Sequence, residues 1–218
     1  MKSLLAIEWL KVKKYTTFWV LAGLFTVLLF AWNYMNSSGL LKLTGPNNIG
    51  LLTNAYKFPE IWDNVAHWTK FFSGLVAIVI IILTTNEYQY RTNRQNVIDG
   101  WSRSQFYNAK WLLVLVMTVL ITVYTFLLVL IFALTNGSSM SDMGAHAEKL
   151  LYVMVMALDY FSFALTLSFF FKRSGMTIVI FLLYTYIIEI IFQQLLNWKI
   201  AWKPGNYLPL QCSAELLP

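Results

Sequence analysis

The sequence predicts an all-α protein, a polytopic bundle of transmembrane helices that forms a single domain over residues 1–218. Hydrophobic residues make up 58% of the chain and charged residues only 12%, about half the charged share of an average soluble domain. The apolar residues are concentrated in runs of about 20, long enough as helices to cross a bilayer of about 30 Å. A globule of this length could not bury so much apolar surface, so we expect the protein to lie in lipid.

Five such runs are predicted to span the membrane, at about 15–35, 65–85, 111–134, 150–171 and 176–196. The third run carries no charge over its whole length. Before the second run, Pro59 followed by Glu60 is typical of a helix start, so this helix is expected to begin in the loop and then enter lipid. The basic start of the chain lacks a small-residue cleavage site, which indicates that the first run is a span and not a removed signal peptide.

The distribution of Lys and Arg predicts the orientation. Ten of the 16 cations, every Arg among them, fall before the first span, between the second and third spans, and between the fourth and fifth. By the positive-inside rule, the N-terminus and the polar segment 86–110 are therefore expected in the cytoplasm, and the C-terminal stretch 197–218 outside. The net charge of +6 is then a topology signal, and no nucleic acid binding is expected.

The polar segment 86–110 carries two helix-start signals. Thr92 and Ser102 are each followed three residues later by Gln, the pattern of a capping box, and Gly100 lies between them. This predicts a short helix over 93–99, a left-handed turn at Gly100, and a new helix that begins near Arg103 and continues into the third span. An ordinary charged loop that obeys the positive-inside rule is the alternative.

The stretch EYQYRTNRQNVIDGWSRSQFYNAKWL, residues 87–112, resembles the cytoplasmic segment between the second and third helices of ABC-2-type permeases, the membrane subunits of bacterial ABC exporters, and especially those of Bacteroidetes-type bacteria. The resemblance implies an ABC-2 permease fold of the type V exporter kind, placed in the bacterial inner membrane, with an interfacial helix at residues 2–14. It also implies that the segment docks on a separate ABC ATPase subunit, which binds ATP and Mg²⁺, and that a second permease subunit, identical or different, completes the transporter. The residues that the resemblance assigns to ATPase coupling are Glu87, Arg91, Thr92, Arg94, Gln95, Gly100, Ser102 and Arg103.

The chain departs from that family at its C-terminus. Such permeases usually cross the membrane six times, whereas this sequence stops at NYLPLQCSAELLP, which by its position resembles the outer re-entrant stretch before a sixth span. We therefore expect the sequence to be truncated.

Motifs for catalysis are absent from the sequence. It contains no GxxxxGK[ST] phosphate loop, no HExxH and no GxSxG, so neither ATP hydrolysis nor another enzymatic activity is expected on this chain. His67 and His146 have no second ligand at metal spacing, and the single Cys212 excludes a disulfide framework. No cofactor or metal is expected on this chain.

Two acids, Asp159 and Glu189, lie well inside predicted spans, where an ionised carboxylate costs about 2.5–3.5 kcal/mol. They either line a substrate path or form hydrogen bonds between helices, and the two could meet across the antiparallel fourth and fifth spans. The sequence suggests as hydrogen-bond partners Tyr160, Tyr184, Tyr186 and Gln193. A secondary transporter or a membrane-embedded scaffold that uses these acids is the alternative function, although the spans lack the Pro interruptions typical of such transporters.

Overall fold

Long runs of Leu, Ile, Val and Phe form helices in this protein because lipid leaves backbone groups no other hydrogen-bond partner. A computed structural model describes residues 2–38, 56–92, 100, 102–138, 142–199 and 204–217, and of residues 2–7, 103 and 199 it describes the backbone. These residues form helices and turns without a strand, which confirms the predicted all-α class.

The helices follow the predicted order along the chain. Their bounds are α1 Lys2–Lys13, α2 Thr16–Ser37, α3 Ile61–Gln89, α4 Arg103–Thr135, α5 Lys149–Phe171, α6 Ser174–Leu183, a π-helical turn Tyr184–Ile188, α7 Glu189–Lys199, a 3₁₀ turn Pro204–Tyr207 and α8 Pro209–Ala214. Five helical stretches within the described residues are long and apolar enough to cross a membrane: α2, α3, α4, α5 and the continuous run Ser174–Trp198. Each predicted span falls on one of these five.

The start of α4 is fixed by the capping box that the sequence predicts. The backbone N–H of Gln105 donates to Oγ of Ser102 at 3.2 Å, and the N–H of Ser102 donates to Oε1 of Gln105 at 2.9 Å. Helix α4 then continues for 33 residues without interruption, from before the apolar stretch to the end of that stretch. The residues before α4 are therefore joined to a span by one continuous helix.

Helix α3 is the centre of the bundle. Its most apolar stretch is 56% buried, compared with 22% for α2, because α2, α4, α5 and α6 all pack against it. Inside this core the hydroxyls of Thr69 and Thr125 lie 3.2 Å apart, and each also donates to a backbone carbonyl one turn earlier in its own helix. These two hydroxyls are satisfied inside the core, whereas Oγ1 of Thr84 on the same helix is buried without a hydrogen-bond partner.

The helices alternate in direction and so give the bundle two ends. At the N-terminal end, α1 lies beside the end of α3 and the start of α4. At the opposite end, the rings of Trp32 and Trp68 pack 4.4 Å apart between the end of α2 and the start of α3. These two ends are called the N-terminal end and the far end below.

Residues 204–217, called the C-terminal segment here, turn back into the bundle at the far end. Leu210 and Leu217 are buried there, with exposures of 1% and 2%. Gly205 permits the turn because a Cβ at this position would lie 2.5 Å from the carbonyl oxygen of Gln193. The segment therefore packs directly on α5 and α7, where the two intramembrane acids are found.

Candidate functional site

Four charged side chains meet at the N-terminal end of the bundle, where α1, α3 and α4 come together. We call Glu8, Lys11, Glu87 and Lys110 the charge cluster. Nζ of Lys110 lies 2.8 Å from Oε2 of Glu8 and 2.6 Å from Oε1 of Glu87. Nζ of Lys11 lies 2.9 Å from the same Glu87 oxygen and 3.3 Å from Oε1 of Glu8. Each carboxylate therefore contacts both ammonium groups, and the cluster is formally neutral.

The charge cluster is largely removed from solvent. The side chain of Lys110 is 1% exposed and both carboxylates 8%, whereas Lys11 at the rim is 32% exposed. Because two charges leave water only at a large desolvation cost, such a cluster persists when each ion keeps its partners. Oε2 of Glu87 is buried without a hydrogen-bond partner, so this carboxylate is bound through its other oxygen alone.

The pKa values of Glu8 and Lys11 in α1 show that neighbouring charges outweigh burial in the charge cluster. Burial by itself would raise the pKa of Glu8, but the charges and hydrogen bonds of Lys110 and Lys11 outweigh it and lower that pKa below its usual value. Burial would lower the pKa of Lys11, yet Glu87 and Glu8 together raise it. Both groups are therefore held in their charged forms.

Sequence reasoning missed most of this cluster. Glu8 was not singled out, and Lys11 and Lys110 were counted only as cations for topology. A usable signal exists, because Glu8 is the one acid in the basic stretch before the first span and Glu87 is the one acid next to the end of the second. Acids at the same predicted depth as a Lys that opens a span favour pairing there.

The described coupling residues other than Glu87 lie between the end of α3 and the start of α4. Helix α3 ends at Gln89, and Arg91 follows with a positive φ of 57°, exposed to solvent. Oγ1 of Thr92 donates to the carbonyl of Glu87 at 3.3 Å. Gly100 has a φ of 95°, which confirms the left-handed turn expected there.

Some of the predicted coupling residues lie outside the described part of the chain. Arg94 and Gln95 do, as does the predicted short helix 93–99, and so does the side chain of Arg103. Ser102, by contrast, is described and caps α4.

The side chain of Glu87 is not where the sequence analysis expects it. The sequence grouped it with the residues that meet an ATPase, whereas its side chain is buried inside the charge cluster. A soluble partner cannot contact a carboxylate that is 8% exposed, so any role of Glu87 in coupling acts through Lys11 and Lys110.

Contacts between aromatic rings join α5 to the N-terminal end of the bundle. The ring of Phe169 packs 4.8 Å from that of Tyr107 and 6.3 Å from that of Tyr88. Helix α5 is thereby joined to the ends of α3 and α4 beside the charge cluster.

The two intramembrane acids contact the C-terminal segment at the far end. Oε1 of Glu189 accepts the backbone N–H groups of Leu210 at 2.8 Å and Gln211 at 3.2 Å. Oδ2 of Asp159 accepts the hydroxyl of Ser213 at 2.6 Å. Nothing among the described hydrogen bonds joins the acids to the expected tyrosines or to Gln193, so that choice of partners was wrong. Both acids instead hold one segment, which sequence reasoning had not linked to them.

A cavity of about 870 Å³ opens beside this segment, between α3, α5, α7 and α8. Its walls are mainly apolar, with Lys70, Tyr160, Thr185 and Gln211 among the polar lining residues. Nζ of Lys70 donates to the carbonyl of Ala214 at 3.0 Å, which ties the segment to α3. A mainly apolar cavity of this size with a few polar groups is typical of a site for a small molecule.

The π-helical turn shapes one wall of the cavity. Oη of Tyr186 donates to the carbonyl of Phe71 at 2.7 Å. A Cβ at position 74 would lie 2.5 Å from Oη of Tyr186. Gly74 therefore allows the turn to approach α3 closely. Such turns are frequent at functional sites, and no pattern in the sequence predicts this one.

Comparison with known proteins gives one result. The sequence profile of a family described as "ABC-2 family transporter protein" matches residues 4–188. No curated protein and no solved structure matches the chain. The matched range contains the charge cluster, the segment 86–110 and Asp159, and it ends one residue before Glu189.

Proposed function

Because this chain belongs to the ABC-2 transporter family and is a multi-pass membrane protein, we propose that it is the permease subunit of an ATP-driven exporter in the bacterial inner membrane. In this proposal the N-terminal end faces the cytoplasm and a separate ABC ATPase subunit hydrolyses ATP with Mg²⁺. A second permease, identical or different, completes the transporter.

The charge cluster is the observation that carries the proposal. Residues 90–102 leave α3 just after Glu87, and α4 begins seven residues before Lys110, so both ends of this stretch are anchored at one buried point. Glu8 and Lys11 add α1 to the same point. A push on residues 90–102 therefore moves three helices together, which is what transmission from a soluble motor requires.

Exposed cations give the segment a docking surface. Arg91 is exposed immediately after α3, and the sequence places Arg94 three residues further on. An acidic groove on the ATPase would attract both, since charges at the rim of an interface mainly govern the rate and specificity of association. The short capped helix predicted over 93–99 would present them.

The far-end cavity is the part of the substrate path that we assign to this subunit. Its mixed lining suits an amphipathic molecule, and Asp159 and Glu189 fix the C-terminal segment along its wall. Oδ2 of Asp159 and Oε1 of Glu189 are engaged with the chain's own groups, which favours a role in packing over ion coupling by a secondary transporter.

Isolation of the protein from its native membranes in mild detergent tests the proposal. We expect an ABC ATPase to co-purify with the parent and with Arg173→Glu, a matched charge reversal at the same end of the bundle. Arg91→Glu, at an equally exposed Arg, should reduce the recovered ATPase because it places like charges against the groove. The absence of an ATPase from the parent preparation would contradict the proposal.

A further inference from the structure

An apolar groove opens on the side of the bundle at its N-terminal end. It encloses about 320 Å³ between α1, α2, α3 and α4, and Trp9, Phe25, Val79 and Tyr124 are among its lining residues. A smaller cavity of about 50 Å³ shares Trp9 with it and reaches Glu8 of the charge cluster. The groove therefore leads from the apolar middle of the bundle toward its charged end.

The mouth of the groove faces the lipid. Trp9, Trp19 and Leu120 on its rim are 50%, 51% and 55% exposed, which on a spanning helix means contact with lipid or the interface. The rings of Trp9 and Trp19 pack edge to face, 6.5 Å apart, at the α1–α2 junction. Paired Trp rings of this kind are typical of the level of the lipid headgroups.

Two lysines stand at this same level. Nε1 of Trp19 donates to the carbonyl of Lys13 at 3.1 Å, so the end of α1 is held against the rim of the groove. The side chains of Lys13 and its neighbour Lys14 are exposed, and neither belongs to the charge cluster. Cations beside an apolar groove complement a ligand with an anionic head and an aliphatic tail.

We infer that this groove binds one acyl chain of an anionic phospholipid from the leaflet at the N-terminal end, with the phosphate beside Lys13 and Lys14. The volume suits a single chain and not a whole lipid, at the lower end of the range for small-molecule sites. Charge complementarity selects the occupant, because an uncharged aliphatic ligand would gain nothing from the lysines. The lipid would fasten α1 to α2 next to the charge cluster.

Native mass spectrometry of the purified chain, titrated with phosphatidylglycerol or with phosphatidylcholine of the same chains, tests the inference. We expect phosphatidylglycerol to bind more tightly, and the double variant Lys13→Gln/Lys14→Gln to weaken it roughly thirtyfold, at about 1 kcal/mol per Lys. The control Lys172→Gln/Arg173→Gln removes two exposed cations from the same end, away from the groove, and should leave binding unchanged.

A second pair of variants tests the groove itself. Ala22 lines it, so Ala22→Phe should fill it and abolish the lipid adduct, whereas Val20→Phe, on the same helix but outside the lining, should not. Equal binding of the two lipids, or an adduct that survives Ala22→Phe, would overturn the inference. So would a loss of dimeric species in Ala22→Phe without any lipid adduct in the parent, since a second copy would then occupy the groove.

Discussion

Replacement of Lys110 by Met removes the ammonium that joins two buried carboxylates at the N-terminal end. Met keeps most of the volume and the apolar stem of Lys, so the change is chiefly the loss of one charge. Oε2 of Glu8 and Oε1 of Glu87 then lose contacts of 2.8 and 2.6 Å. The charge cluster changes from formally neutral to a net charge of −1.

The free-energy cost of Lys110→Met follows from the burial of the charge cluster. Removal of one partner from a buried ion pair typically costs about 3–5 kcal/mol, because the remaining charge has left water without compensation. Lys11 stays 2.9 Å from Glu87 and 3.3 Å from Glu8, so we expect the lower end, about 3 kcal/mol. At roughly 2–4 °C per kcal/mol for a chain of this size, Tm should fall by about 6–12 °C.

Thermal unfolding of the purified protein in detergent, followed by tryptophan fluorescence, measures this shift. Arg173→Met is the matched control, because Arg173 is an exposed cation at the same end and should shift Tm little. The double variant Lys110→Met/Glu8→Gln restores neutrality and leaves the Lys11–Glu87 pair, so it should be more stable than Lys110→Met alone. If Lys110→Met lowers Tm no more than Arg173→Met, the charge cluster does not hold the three helices together.

Four further expectations concern other parts of the molecule. Since the folded pKa of Glu8 lies below its usual value of 4.5, the contribution of Glu8 to stability is present above that pH and is lost as the pH falls through the lowered pKa. Tm should therefore fall on acidification, and less in Glu8→Gln. Gly74→Ala places a Cβ 2.5 Å from Oη of Tyr186 and should cost about 1–3 kcal/mol, a cost that Tyr186→Phe should largely remove in a double-mutant cycle. At Gly100, with φ at 95°, Ala should cost about 1–2 kcal/mol from backbone strain, as measured by Tm. Glu189→Leu leaves two backbone N–H groups without an acceptor, at about 1–3 kcal/mol each, and should speed hydrogen exchange in residues 204–217, whereas Glu189→Gln keeps the acceptor.

Each of these expectations has a contrary outcome. If Tm falls equally on acidification in the parent and in Glu8→Gln, Glu8 is not held ionised by its neighbours. Additive effects of Gly74→Ala and Tyr186→Phe would argue against their close approach. A Gly100→Ala variant as stable as the parent would mean that the turn relaxes. Equal hydrogen exchange of residues 204–217 in the Leu and Gln variants at position 189 would show that Glu189 does not hold the C-terminal segment.

Features that depend on short stretches of sequence were predictable. The uncharged runs predicted the spans because each must satisfy its own backbone within lipid. The capping box at Ser102 and the turn at Gly100 follow from local chemistry, and the structure has both. The helix that starts at Arg103 and continues into a span follows from the same residues.

Features that depend on packing between distant residues were not predictable. Glu8, Glu87 and Lys110 meet because three helices converge. The lone acids near span ends indicate that pairing occurs there, but no local pattern shows which distant residues pair. The partners of Asp159 and Glu189 were missed because the resemblance to an outer re-entrant stretch does not show which groups of that stretch the acids contact. Two of the partners that the sequence suggested donate elsewhere: Tyr186 to the carbonyl of Phe71, and Gln193 to the side chain of Glu215.

The central claim is that residues 90–102 meet an ATPase and transmit its movement into α3 and α4. A photo-cross-linking amino acid at position 95, activated in intact membranes of the native host, tests it most directly, with position 173 at the same end of the bundle as the control site. The account predicts an adduct between this chain and an ABC ATPase from position 95, whose yield changes when ATP is depleted. The absence of an ATPase adduct from position 95 in membranes that contain the intact protein would contradict the account.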